Sequence, residues 1–153
     1  MSILDNLEKL GIVLPPTPVP VAAYVPAVQT GSLVFVSGQL PLVEGKLKYT
    51  GLVGRDIALE QAYDAARLCA LNALAALKSV AGDLDRVERV VKLTGWVASV
   101  EQFTDQAKVM NGASELIGQI FGERGKHARA AVASPVLPLN APVEVELIVE
   151  LKG

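Results

Sequence analysis

Histidine, cysteine and basic charge are all scarce in this chain, and each scarcity removes a class of chemistry. One histidine (His127) and one cysteine (Cys69) cannot build a zinc cage, and the carboxylates show no metal-ligand spacing. A lone cysteine also rules out an internal disulfide and fits a reducing compartment. With 14 Lys and Arg against 16 Asp and Glu, the net charge is −2. There is no basic stripe, which argues against nucleic acid as a partner. From Leu10 to Val43 there is no charge, but six prolines interrupt that stretch and no membrane-spanning helix can form through it. The opening MSILDNLEKL carries charges where a signal peptide needs an apolar run. These features predict a cytoplasmic chain without a membrane partner. No GxGxxG, P-loop, GxSxG or HExxH motif is present.

What is abundant is apolar surface. Of the 153 residues, 51% are hydrophobic and only 20% charged, and the mean hydropathy is +0.39. That length predicts a single domain over 1–153, in which 1–20 form an N-terminal helix and a proline arm. The apolar surplus predicts a subunit interface in addition to the chain's own core.

Ser2 and Asp5 predict the start of a short helix that Gly11 ends, and Pro15, Pro16, Pro18 and Pro20 predict an extended arm. Residues 25–30 and 32–39 read as paired strands, and 40–48 as a weaker third strand around a turn at Glu44–Gly45. Asp56 to Ala81 reads as a long helix with Leu59, Ala62, Ala66, Cys69, Ala73 and Leu77 inside, and Asp64 and Arg67 on the wet side. A strand over 87–98 follows. Ser99 with Gln102 predicts a capping box for a second helix ending near Phe121, with Phe103, Ala107, Met110, Ile117 and Phe121 as its core stripe. Residues 128–133 and 143–151 complete the strands, the last alternating apolar residues with Glu144, Glu146 and Glu150. The order βββ–α–β–α–ββ predicts a two-layer α+β sandwich whose two long helices cover one sheet face and leave the other for a partner subunit.

Candidate chemistry is sparse. Cys69 lies on an apolar helix stripe and reads as an inert core thiol. His127 reads as an exposed residue leading into a strand, and Trp96 as core or interface. Arg129 is the odd residue, a guanidinium inside the apolar strand HARAAVA. It pairs with Glu146 or Glu150 across the sheet, or it clamps a substrate carboxylate through two parallel hydrogen bonds. Glu144, at a loop-to-strand junction, is either a solvated or salt-bridging residue or a functional one. Tyr24 is a packing residue by default, and Ser37–Gly38–Gln39 is a turn that exposes backbone groups.

The segments YVPAVQTGSLVFVSGQLP (24–41), ARAAV (128–132) and LPLNAPVEVELIV (137–149) resemble the YjgF-like, or Rid, family of reactive-imine deaminases, also named L-PSP endoribonuclease-like. The resemblance implies a chorismate-mutase-like fold with a mixed sheet, assembled as a homotrimer with active sites in the clefts between subunits. It implies hydrolysis of 2-enamine or 2-imino acids such as 2-aminoacrylate to 2-keto acids and ammonia, without metal or cofactor. On the same resemblance, Arg129 binds the substrate carboxylate and Glu144 positions the water. Tyr24, Ser37, Gly38 and Asn111 line the pocket, and Ala131 stands where the family often has cysteine. The alternative is a non-catalytic trimer that binds small carboxylates or keto acids in the same clefts.

Overall fold

The computed structural model describes residues 2–17 and 23–153. Pro18 and Pro20 of the expected arm lie outside them. Helix α1 (Ile3–Lys9) opens on the predicted box: Ser2 Oγ accepts from the Asp5 N–H at 3.0 Å, and the Ser2 N–H donates to Asp5 Oδ2 at 3.1 Å. Five strands form one mixed sheet. They are β1 (Ala27–Thr30), β2 (Leu33–Gln39), β5 (Val87–Ala98), β6 (Ala128–Ser134) and β7 (Val143–Leu151), in the order β1-β2-β7-β5-β6. Only the β5–β6 pair is parallel.

The weak third strand does not join this sheet. It folds on itself as β3 (Leu42–Val43) and β4 (Lys46–Leu47), around Glu44 and Gly45 at φ 51° and 78°. Two successive positive φ values are what a tight hairpin turn needs. Helices α2 (Leu59–Ala81) and α3 (Gln106–Phe121) cover one sheet face, and α1 packs against the end of α3 through Asn6 Nδ2 and the Ile120 carbonyl at 2.8 Å. The two long helices meet closely because Gly112 of α3 lies against the Tyr63 carbonyl, where a Cβ would collide.

Both long helices start later than their capping residues suggest. Asp56 does not cap α2, because its Oδ2 accepts from the Leu52 N–H at 2.9 Å and pairs with Arg55. Gln61 instead reaches back to the Ala58 N–H at 2.9 Å. The Ser99–Gln102 box does not form either. Ser99 is buried at the end of β5, accepting from Gln106 Nε2 at 3.2 Å. Phe103 thus precedes α3 while still packing on the core, and Ala107 is exposed. Asp64 and Arg67, expected on the wet side of α2, are half-buried.

The alternation of β7 holds throughout. Val143, Val145, Leu147, Val149 and Leu151 are buried beneath the helices, and Glu144, Glu146, Ile148 and Glu150 point to the other face. Register places Val28, Phe35 and Ile148 in one row across that open face, and Glu144, Trp96 and Val132 in another. Val28, Phe35 and Val132 are exposed there, so two apolar patches with Thr94 and Glu146 between them stand uncovered. Among the described residues no helix is long and apolar enough to cross a membrane, and no cluster of His, Cys, Asp and Glu could hold a metal ion.

Candidate functional site

The site residues expected from sequence fall into two clusters. The first lies where β6, at the sheet edge, meets α3. Arg129 is in register with Leu93, whose side chain is buried under the helices, so its guanidinium also turns to the helix side. That excludes pairing with Glu146 or Glu150, which face the opposite way. Arg129 Nη1 instead donates to Asn111 Oδ1 at 2.9 Å and to Ser114 Oγ at 3.2 Å. No described carboxylate pairs with it, and it is exposed in the single chain. Ala131, two residues on along the same face, is half-buried against the core.

His127 is not the free surface residue expected. It is half-buried, with Nε2 2.9 Å from Ser114 Oγ and Nδ1 2.6 Å from the Gly125 carbonyl. A cavity of about 330 Å³ opens beside this cluster, lined by Ser114, Gly118, Gly125, Lys126, His127 and Arg129. Ser114 and His127 escaped sequence reasoning, although a spacing signal was there: Asn111 and Ser114 share a helix face at i,i+3, and His127, just before β6, stands two residues from Arg129. A larger apolar cavity of about 520 Å³, between residues 13–17, the β3–β4 hairpin and α2, contains none of these residues.

The second cluster lies on the open face. Glu144 packs against Gly38, at the irregularity where β2 shifts register between Val36 and Gln39. A Cβ on Gly38 would collide with the Glu144 carboxylate, 3.0 Å from its Cδ, so glycine is what leaves that carboxylate room. Ser37–Gly38–Gln39 is the last stretch of β2 rather than the expected turn, and Ser37 is held there by its Oγ donating to the Val25 carbonyl at 2.7 Å and its N–H to the Pro26 carbonyl at 2.8 Å. Tyr24, the residue before Val25, is 60% exposed. Glu144 is half-buried, and its carboxyl is pushed above the usual range, first by burial and then by the charge of Glu146. Trp96 stands next to it in register, also half-buried.

Cys69 belongs to neither cluster. It is fully buried in α2, and burial holds its thiol well above the ordinary range, so no thiolate is on offer.

This fold and these residues have known counterparts. The model of the family described as YjgF/chorismate mutase-like, putative endoribonuclease, matches residues 5–151. The chain belongs to the YjgF-like family. It is 46% identical to Protein TCP17 of Trypanosoma cruzi over 149 residues, which are 97% of this chain and 93% of that protein. Among solved structures, the protein Atu1372 of Agrobacterium tumefaciens, of unknown function, is 50% identical with a TM-score of 0.91, covering 99% of this chain and 94% of its own. A Shewanella oneidensis structure is 36% identical with a TM-score of 0.95, covering 99% and 100% of the two chains. More distant is Escherichia coli TdcF with bound serine, 26% identical, TM-score 0.60, covering 88% and 92%. Membership of the YjgF-like family accounts for the mixed sheet and the helices packed on one side of it.

Proposed function

We propose that the protein hydrolyses 2-imino acids, and their enamine tautomers, to 2-keto acids and ammonia in clefts between the subunits of a homotrimer. The observation that carries this reading is Arg129. A guanidinium held by two neutral side chains, with no described carboxylate to neutralise it, is suited to an anion from outside the chain. The serine bound to TdcF, a small α-carboxylate, is a ligand of that kind.

Arg129 and Glu144 sit on opposite faces of the sheet and two strands apart, roughly 10 Å across the ladder. Each chain therefore carries two half-sites, and one cleft needs Arg129 from one copy and Glu144 from the next. The uncovered apolar face bearing Glu144 is the surface such a contact would bury.

The reaction asks little more. The imine carbon is already electrophilic, and Arg129 fixes the carboxylate attached to it. Glu144 takes a proton from a water as the water oxygen bonds to C2, and passes that proton to the nitrogen, to which the C=N electron pair moves. The carbinolamine so formed collapses: Glu144 takes the hydroxyl proton as the carbonyl forms and delivers it to nitrogen as the C–N bond breaks and ammonia leaves. A carboxyl raised toward neutrality suits both halves of that cycle.

The test is turnover of freshly generated iminopropionate, with buffer hydrolysis subtracted, alongside pyruvate affinity. Arg129→Ala should lose turnover and pyruvate binding together, and Arg129→Lys should weaken both, because an ammonium lacks the planar fork. Glu144→Gln should lower kcat by about 100-fold with little change in pyruvate affinity. Glu144→Gln with full turnover would remove the water-activating role. Wild-type protein that binds pyruvate through Arg129 but turns nothing over would be the non-catalytic carboxylate binder.

A further inference from the structure

The hydrogen bonds that reach Arg129 from the side of His127 run in one direction. The Gly125 carbonyl can only accept, so the His127 Nδ1 at 2.6 Å carries the ring proton. In the neutral ring Nε2 is then a lone pair, and Ser114 Oγ at 2.9 Å donates to it. With its proton committed there, Ser114 has only lone pairs to offer Arg129 Nη1 at 3.2 Å. Asn111 Oδ1 takes the other Nη1 hydrogen at 2.9 Å. Nη1 is thereby fully used on α3. The edge left over is Nε–H beside one Nη2–H, two parallel donors spaced for a carboxylate. No described residue accepts from that edge. The neighbouring ammonium, Lys126, is paired with Glu123 at 2.9 Å.

We propose that Ser114 and His127 are positioning residues, a relay that fixes the Arg129 guanidinium so that its Nε–Nη2 edge meets the ligand carboxylate. The inference rests on the reading of Arg129 as that carboxylate's clamp. Without the Nε2 lone pair, the Ser114 proton is free to turn toward Nη1, and the donor–acceptor order that seats the guanidinium is lost.

Two measurements on the intact protein test it. His127 is the only histidine, so the ¹⁵N spectrum of the imidazole reports this ring alone. At a pH where the ring is neutral it should show the Nδ1–H tautomer without any ligand. An Nε2–H tautomer, or an exchanging mixture, overturns the relay. The second measurement compares pyruvate Kd with kcat and KM for iminopropionate in folded variants. Ser114→Ala and His127→Ala should raise Kd and KM about tenfold while kcat falls by less than about threefold. His127→Gln, whose Oε1 can accept the Ser114 proton, should recover most of the loss. Wild-type affinity in Ser114→Ala, or equal losses in His127→Gln and His127→Ala, would overturn the positioning role and leave the clamp standing. If Arg129→Ala binds pyruvate as the wild type does, the clamp reading fails, and the relay fails with it.

Discussion

Gly38 and Glu144 are matched by space. A methyl at position 38 would meet the mobile end of a glutamate side chain, which can swing away, so Gly38→Ala should fold with a stability change within about 1 kcal/mol. The carboxylate would still be displaced, and a misplaced reactive group of this size costs up to about 100-fold in rate. A urea melt together with imine turnover checks both halves; full activity in Gly38→Ala would show that the position of Glu144 is irrelevant. Cys69 should behave in the opposite way. Its thiol is buried and protonated, 3.5 Å from the Val143 carbonyl. Cys69→Ser should cost about 1–3 kcal/mol through the buried hydroxyl, with turnover per folded protein unchanged. Loss of rate in folded Cys69→Ser would contradict its inert role.

At the scale of elements, the β3–β4 hairpin is tied to α2 by Asp64, which accepts from Tyr49 Oη at 2.7 Å and Lys48 Nζ at 3.0 Å. Burial alone would raise the Asp64 carboxyl, but the bonds from Tyr49 and Lys48 outweigh it and hold the group below its ordinary range. A folded-state pKa below the unfolded one adds stability above the unfolded value, and that stability is lost as pH falls through the folded value. The difference in urea midpoint between wild type and Asp64→Asn should therefore be full at neutral pH and vanish in acid. A difference independent of pH would contradict the tie. Tyr49→Phe should cost about 1 kcal/mol. The same competition for side chains explains which element boundaries were readable. β7 was legible because its alternation had one period and one buried face. The starts of α2 and α3 were not, since Asp56 bonds back to Leu52 and Arg55, and Ser99 Oγ donates to the Val97 carbonyl of β5 and meets α3 only through the Gln106 side chain. The turn at Glu44–Gly45 was legible, but two residues per strand carry too little periodicity to show that the segment pairs only with itself.

For the whole molecule, the open face with Val28, Phe35, Trp96, Val132 and Ile148 expects a second copy, and light scattering should report about three times the chain mass of 16.1 kDa. A stable monomer would remove the cleft. Arg129 was legible as a candidate because a charge in an apolar strand calls for an explanation, and the resemblance implied Asn111 as a pocket residue but not the bond between them. The bonds through Ser114 and His127 depend on how α3 crosses β6, which no local pattern encodes. That Arg129 and Glu144 face apart within one chain emerges only from the strand register. Subunit mixing tests this division most directly. Arg129→Ala and Glu144→Gln chains, each inactive alone, are co-expressed with different tags and purified as mixed trimers. If each cleft takes Arg129 from one subunit and Glu144 from the next, every trimer that holds both chains keeps one intact cleft of its three, and imine turnover should return to about a third of wild type. Mixed trimers as inactive as their parents would show that both residues act from the same chain.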